Sequence, residues 1–107
     1  MPLTRSYKTT IDERTRQDPE FAQGLLDEAA MLFLNGEPEV ARIILRDLVN
    51  ATVGFEGLAK ETDKPSKSLH RMLSASGNPS MDNLSAIFRA MREWLGVEIQ
   101  VQAIPVR

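Results

Sequence analysis

The chain has 107 residues and no cysteine, with 42% hydrophobic and 26% charged residues; it reads as one small domain that folds without disulfides. There is no apolar run of about 18 residues to cross a bilayer, and Met1-Pro2-Leu3-Thr4-Arg5 lacks the core of a signal peptide, so a cytoplasmic location without membrane contact is expected. The formal charge of −2 supplies no global basic footprint for nucleic acid.

The distribution of that charge says more. Between residues 18 and 50 there are seven acids (Asp18, Glu20, Asp27, Glu28, Glu37, Glu39, Asp47) and two bases, Arg42 and Arg46. Between residues 64 and 92 the balance reverses, with Lys64, Lys67, Arg71, Arg89 and Arg92 against Asp82 alone, and with His70 able to add partial charge below neutrality.

Residues 1–17 are polar, lack a sustained period and are expected to form a flexible arm. Asp18-Pro19 then reads as a helix start, an N-cap acceptor followed by a residue whose missing N–H costs nothing in the first turn. Phe21, Ala22, Leu25, Leu26, Ala29, Leu32 and Phe33 follow at helical spacing, and Asn35-Gly36 stops them. A second helix opens at Pro38, carries Val40, Ala41, Ile44, Leu45, Leu48 and Val49, and runs to about Asn50, making a helical hairpin with the first.

Phe55, Leu58, Ala59 and Thr62 mark a third, short helix, and Asp63-Lys64 a tight turn, since Pro65 restricts the residue before it. The fourth helix follows at once, with Pro65, Leu69, Met72 and Leu73 on one side, and gives way to a loop over residues 74–79. Ser80 caps a fifth helix striped by Leu84, Ile87, Phe88, Met91, Trp94 and Leu95 and closed by Gly96. Met31, Met72, Met81 and Met91 read as core fillers, and Trp94 as either core or a dimer anchor. Val97, Ile99 and Val101 alternate with Glu98, Gln100 and Gln102, which predicts a short strand that either pairs with a symmetry mate or packs on the domain. The expected organisation is therefore an arm (1–17), a helical domain (18–96) and a strand or tail (97–107).

Two short helices across a tight turn, followed by a longer packing helix, form the plan of a helix-turn-helix reader of the DNA major groove. At about 100° per residue, Lys64, Lys67 and Arg71 cluster opposite the apolar sector of the fourth helix, with Ser66 and His70 flanking them. Long cations reach phosphates and guanine edges, while a hydroxyl or an imidazole hydrogen-bonds bases at close range. A solvated charged face is the plainer reading of three cations by themselves; the flanking helices favour the DNA reader.

The run Gly54-Phe55-Glu56-Gly57-Leu58-Ala59-Lys60-Glu61-Thr62-Asp63-Lys64-Pro65-Ser66-Lys67-Ser68-Leu69-His70-Arg71-Met72-Leu73 resembles the helix-turn-helix of the Xre/Cro-like (lambda-repressor-like) domains. With Ser74-Ala75-Ser76-Gly77-Asn78-Pro79-Ser80 and the following helix to Gly96, residues 18 to 97 are similar to the addiction-module antidote proteins, the HigA-like antitoxins. The resemblance implies an all-α, five-helix domain with its motif at about residues 55–73, acting as a homodimer on a palindromic double-stranded DNA operator. It also implies a RelE- or HigB-like toxin neutralised by direct contact.

Carried over by position, Ser66, Lys67, His70 and Arg71 would read bases, Lys64 would join the cationic face, and the loop of Ser74, Ser76 and Asn78 would meet a phosphate. The chain departs from the family at Asp63, where the turn commonly has Gly; at Pro65, where Ser usually caps; at Ser66, where many relatives carry Arg; and at Phe55, where a phosphate-binding Gln is frequent. These departures bear on the strength and sequence of DNA binding. The rival reading is an interaction module that keeps the fold and masks a partner through its acidic hairpin. One histidine and no cysteine leave no metal-ligand cluster or nucleophilic triad, so neither cofactor nor catalysis is expected.

Overall fold

The structure, a computed structural model, describes residues 18–107; the arm expected over residues 1–17 lies outside them. The first helix, α1 (Pro19–Leu34), begins because the Asp18 carboxylate accepts from the backbone N–H groups of Glu20 (3.1 Å) and Phe21 (3.3 Å). It ends where Asn35 donates its side-chain amide to the Met31 carbonyl, 3.0 Å away, and Gly36 takes φ +83°. Three helices follow: α2 (Pro38–Ala51), α3 (Gly54–Thr62) and α4 (Ser66–Met72). The last, α5 (Met81–Leu95), is capped by Ser80, whose hydroxyl accepts from the Asn83 N–H at 3.1 Å. The five helices thus fall where local signals put them, with boundaries moved by a residue or two.

The core joins one face of every helix. Ala22, Leu26 and Ala29 of α1 meet Leu45, Leu48 and Val49 of α2, Phe55 and Leu58 of α3, Leu69 and Leu73 at α4, and Ile87, Ala90 and Met91 of α5. Phe33 meets Phe88 edge to face, ring centroids 5.9 Å apart, which fixes the end of α1 against α5. Met72 and Met91 serve the core as expected, whereas Met31 and Met81 are 52% and 71% exposed and do not. Trp94 is also 52% exposed, which removes the core reading of it. Met81 occupies the first turn of α5 and Trp94 its last, while the buried residues of that helix, Ile87, Ala90 and Met91, lie between them.

The expected C-terminal strand does not form: residues 97–107 carry no regular secondary structure, and no strand occurs among the described residues. A strand requires a ladder partner, and none is provided among the described residues. The alternation is nonetheless used. Val97 and Ile99 pack against the core while Glu98 and Gln100 face out, and Arg92 Nη1 donates to the Val97 carbonyl at 3.4 Å. No helix among the described residues is long and apolar enough to cross a membrane.

Between α3 and α4 the chain turns through Asp63 in the left-handed region, φ +55° and ψ +39°, with the Asp63 and Lys64 N–H groups both directed to the Ala59 carbonyl. Asp63→Gly is expected to stabilise the fold by about 0.5 kcal/mol, because relief of about 1 kcal/mol of left-handed strain is partly offset by the greater freedom of unfolded glycine. Thermal melting should rise by about 2–4 °C. A fall in melting temperature would mean that the Asp63 side chain stabilises the turn by more than its backbone strain costs.

Candidate nucleic-acid interface

Seven residues of α4 divide into two faces. Leu69, together with Leu73 just beyond the helix, is fully buried and Met72 is half-buried, so the apolar side docks on the core. Lys67, His70 and Arg71 are exposed, and Ser66 and Lys64 are half-buried beside them. The sequence-derived apolar sector is corrected at one end: Pro65 is exposed and stands as the N-cap of α4 with ψ +137°, so it orients the turn rather than filling the core.

His70 is not a free side chain. Its ring lies 3.8 Å, centroid to centroid, from that of Phe55 and only 19° from parallel, a face-to-face stack joining the first turn of α3 to the middle of α4. Phe55 is 5% exposed, so the stack rests on a core residue. No local sequence pattern couples these two. Their separation of fifteen positions on different helices leaves no periodic signal.

The loop after α4 is held from two sides. Arg42 of α2, 7% exposed, donates through Nε to the Ser74 carbonyl (3.1 Å) and through Nη2 to the Ala75 carbonyl (3.0 Å). Gly77 is buried under the end of α4, its N–H donating to the Ser74 carbonyl at 3.0 Å. A β-carbon there would overlap the Met72 carbonyl oxygen and lie 2.6 Å from that of Arg71. Of the three polar loop residues expected to meet a phosphate, Ser76 and Asn78 are exposed. Ser74 is half-buried, and its hydroxyl donates to the Arg71 carbonyl at 2.7 Å, so its proton is engaged in closing α4.

The structure therefore places Lys64, Ser66, Lys67, His70 and Arg71 along one short helix and its entry, with Ser76 and Asn78 in the loop that leaves it. Arg89 stands apart in an ion pair with Glu93 at 3.0 Å, both side chains more than half exposed. It lines a polar cleft of about 510 Å³ between α3 and α5 together with Glu61, Asp82 and Glu93. None of the residues expected to bind DNA lines that cleft, and its acidic walls do not suit an anion. What α4 offers is an exposed face of Lys67, His70 and Arg71 rather than a cavity. Among the described residues no group of three His, Asp or Glu side chains is placed to hold a metal ion. Comparison with family models, curated proteins and solved structures finds no match to the chain.

Proposed function

We propose that this protein is a dimeric, sequence-specific DNA-binding regulator of Xre/Cro-like architecture, working as the antitoxin of a toxin–antitoxin pair that represses its own operon. The observation that supports the reading is the two-faced α4. A short helix follows α3 through a left-handed turn, buries Leu69 and Leu73 at its back, and leaves Lys67, His70 and Arg71 in solvent at its front. In a two-fold dimer, two such helices about 34–36 Å apart enter successive major grooves of a palindrome. Lys64 and Lys67 supply sequence-independent attraction to phosphates, which makes affinity fall steeply with salt.

Replacing Lys67 and Arg71 singly with alanine is expected to weaken binding to the DNA upstream of the gene by about ten-fold or more for Arg71, and to lower the salt slope by about one for Lys67. Both side chains are exposed, so stability should stay within about 0.5 kcal/mol of the parent. Gel shifts at two salt concentrations test this. Binding by both variants at parental affinity would remove α4 as the reading helix.

The acidic α1–α2 hairpin supports the second half of the reading, contact with a basic toxin of the RelE or HigB kind. Asp27, Glu28, Glu37 and Glu39 are all exposed there, away from the cationic face of α4 in sequence, and an acidic face speeds encounter with a basic partner. Should the parent bind no DNA while still capturing the basic protein of its own operon, the interaction-module reading replaces the regulator.

A further inference from the structure

We infer that His70 is a base-reading residue directed at a guanine of the major groove, and that Phe55 is a positioning residue that fixes its ring for the purpose. The inference rests on the DNA-binding reading above and deepens it. Lys67 and Arg71 are long, exposed side chains that lose much rotamer freedom on being fixed in one place. His70 is exposed as well, yet its ring is already set by the 3.8 Å stack on Phe55, which is itself held in the core.

Stacking uses a face of the imidazole and leaves its edges, where both nitrogens lie, clear of that contact. Among the described residues no hydrogen bond is formed by the ring nitrogens. The result is an exposed N–H donor with restricted orientation on the face that would enter the groove. Guanine presents two adjacent acceptors there, N7 and O6, whereas adenine sets an amino donor beside its N7, so a donor held between the two positions meets two acceptors only on guanine. A ring that merely covered Phe55 would need no nitrogen at all.

The experiment begins by selecting a preferred site for the parent from randomised duplex DNA, then replacing each guanine of that site in turn with adenine and with 7-deazaguanine, which lacks the N7 acceptor. One guanine per half-site is expected to lose about ten-fold in affinity on either replacement. His70→Phe keeps a stacked ring and removes the nitrogens; it should bind the parental site about ten-fold more weakly and lose nothing further when that guanine is replaced, the non-additivity expected of groups in contact. Phe55→Leu should shrink the guanine penalty without changing the salt slope, and in nuclear magnetic resonance spectra the His70 ring protons should lose the ring-current shift imposed by the stack.

If His70→Phe pays the same penalty as the parent at every guanine, the inference falls while the DNA-binding reading stands. If Phe55→Leu keeps the full penalty, the positioning role of Phe55 falls. A parent that selects no site overturns this inference and the regulator reading together.

Discussion

Replacing Arg42 with methionine is expected to lower stability by about 2–3 kcal/mol and to free the loop that follows α4. Arg42 is 7% exposed, and its guanidinium donates two hydrogen bonds, to the carbonyls of Ser74 and Ala75. Hydrogen bonds from a charged donor contribute about 1.5–3 kcal/mol each. The sum is reduced here, because the Ser74 carbonyl keeps the Gly77 N–H as a second donor and Ala75 is exposed to water. The cation also sits just past the C-terminal end of α4, where the helix dipole favours positive charge. Methionine keeps the apolar stem and removes both donors, so the loss reports the hydrogen bonds rather than a cavity. For a domain of this size, melting should fall by about 10 °C or more. Arg42→Lys should recover only part of the difference, since an ammonium cannot repeat the two-pronged geometry. Faster amide exchange at Gly77 in Arg42→Met would show the loop opening. Unchanged melting in Arg42→Met would mean that water replaces both donors at no cost.

That contact also shows where sequence reasoning reaches its limit. The ends of α1 and α5 were legible because a cap acts within three residues: Asp18 bonds Glu20 and Phe21, and Ser80 bonds Asn83. The amphipathic stripes were legible because one face of each helix meets one core. Arg42 was hidden because its partners lie 32 and 33 positions away and are backbone carbonyls, which carry no side-chain identity. In the tail, the alternation from Val97 to Gln100 recorded burial on one side, and burial alone does not make a ladder. Of the candidate site, the cationic front of α4 followed from periodicity. The stack that restrains His70 depends on how closely α3 approaches α4, and no local pattern encodes that distance.

Gly77→Ala is expected to be the most damaging of the glycine-to-alanine replacements. The added carbon would overlap the Met72 carbonyl oxygen and press on that of Arg71 at 2.6 Å, and both are backbone atoms of a helix end that is itself anchored by Leu69 and Leu73 in the core. Neither can swing aside as a side chain would, so the loop must move, and overpacking of this kind costs about 1–3 kcal/mol. The reason is space rather than dihedral angle, because Gly36, Gly54 and Gly96 are the glycines with positive φ and Gly77 is not among them. Gly24 provides the control. It is an exposed position inside α1 with nothing within 4 Å of an added β-carbon, so alanine there should raise stability by about 1 kcal/mol through helix propensity alone. Chemical denaturation of the two variants should therefore move their midpoints in opposite directions. If the proposed DNA-binding function holds, the Gly77 variant should also lose affinity for DNA beyond its loss of stability, since Ser76 and Asn78 flank the displaced residue. A Gly77→Ala protein as stable as the parent would show that residues 74–79 can withdraw from α4 without cost, and the loop would then be no fixed part of the proposed interface.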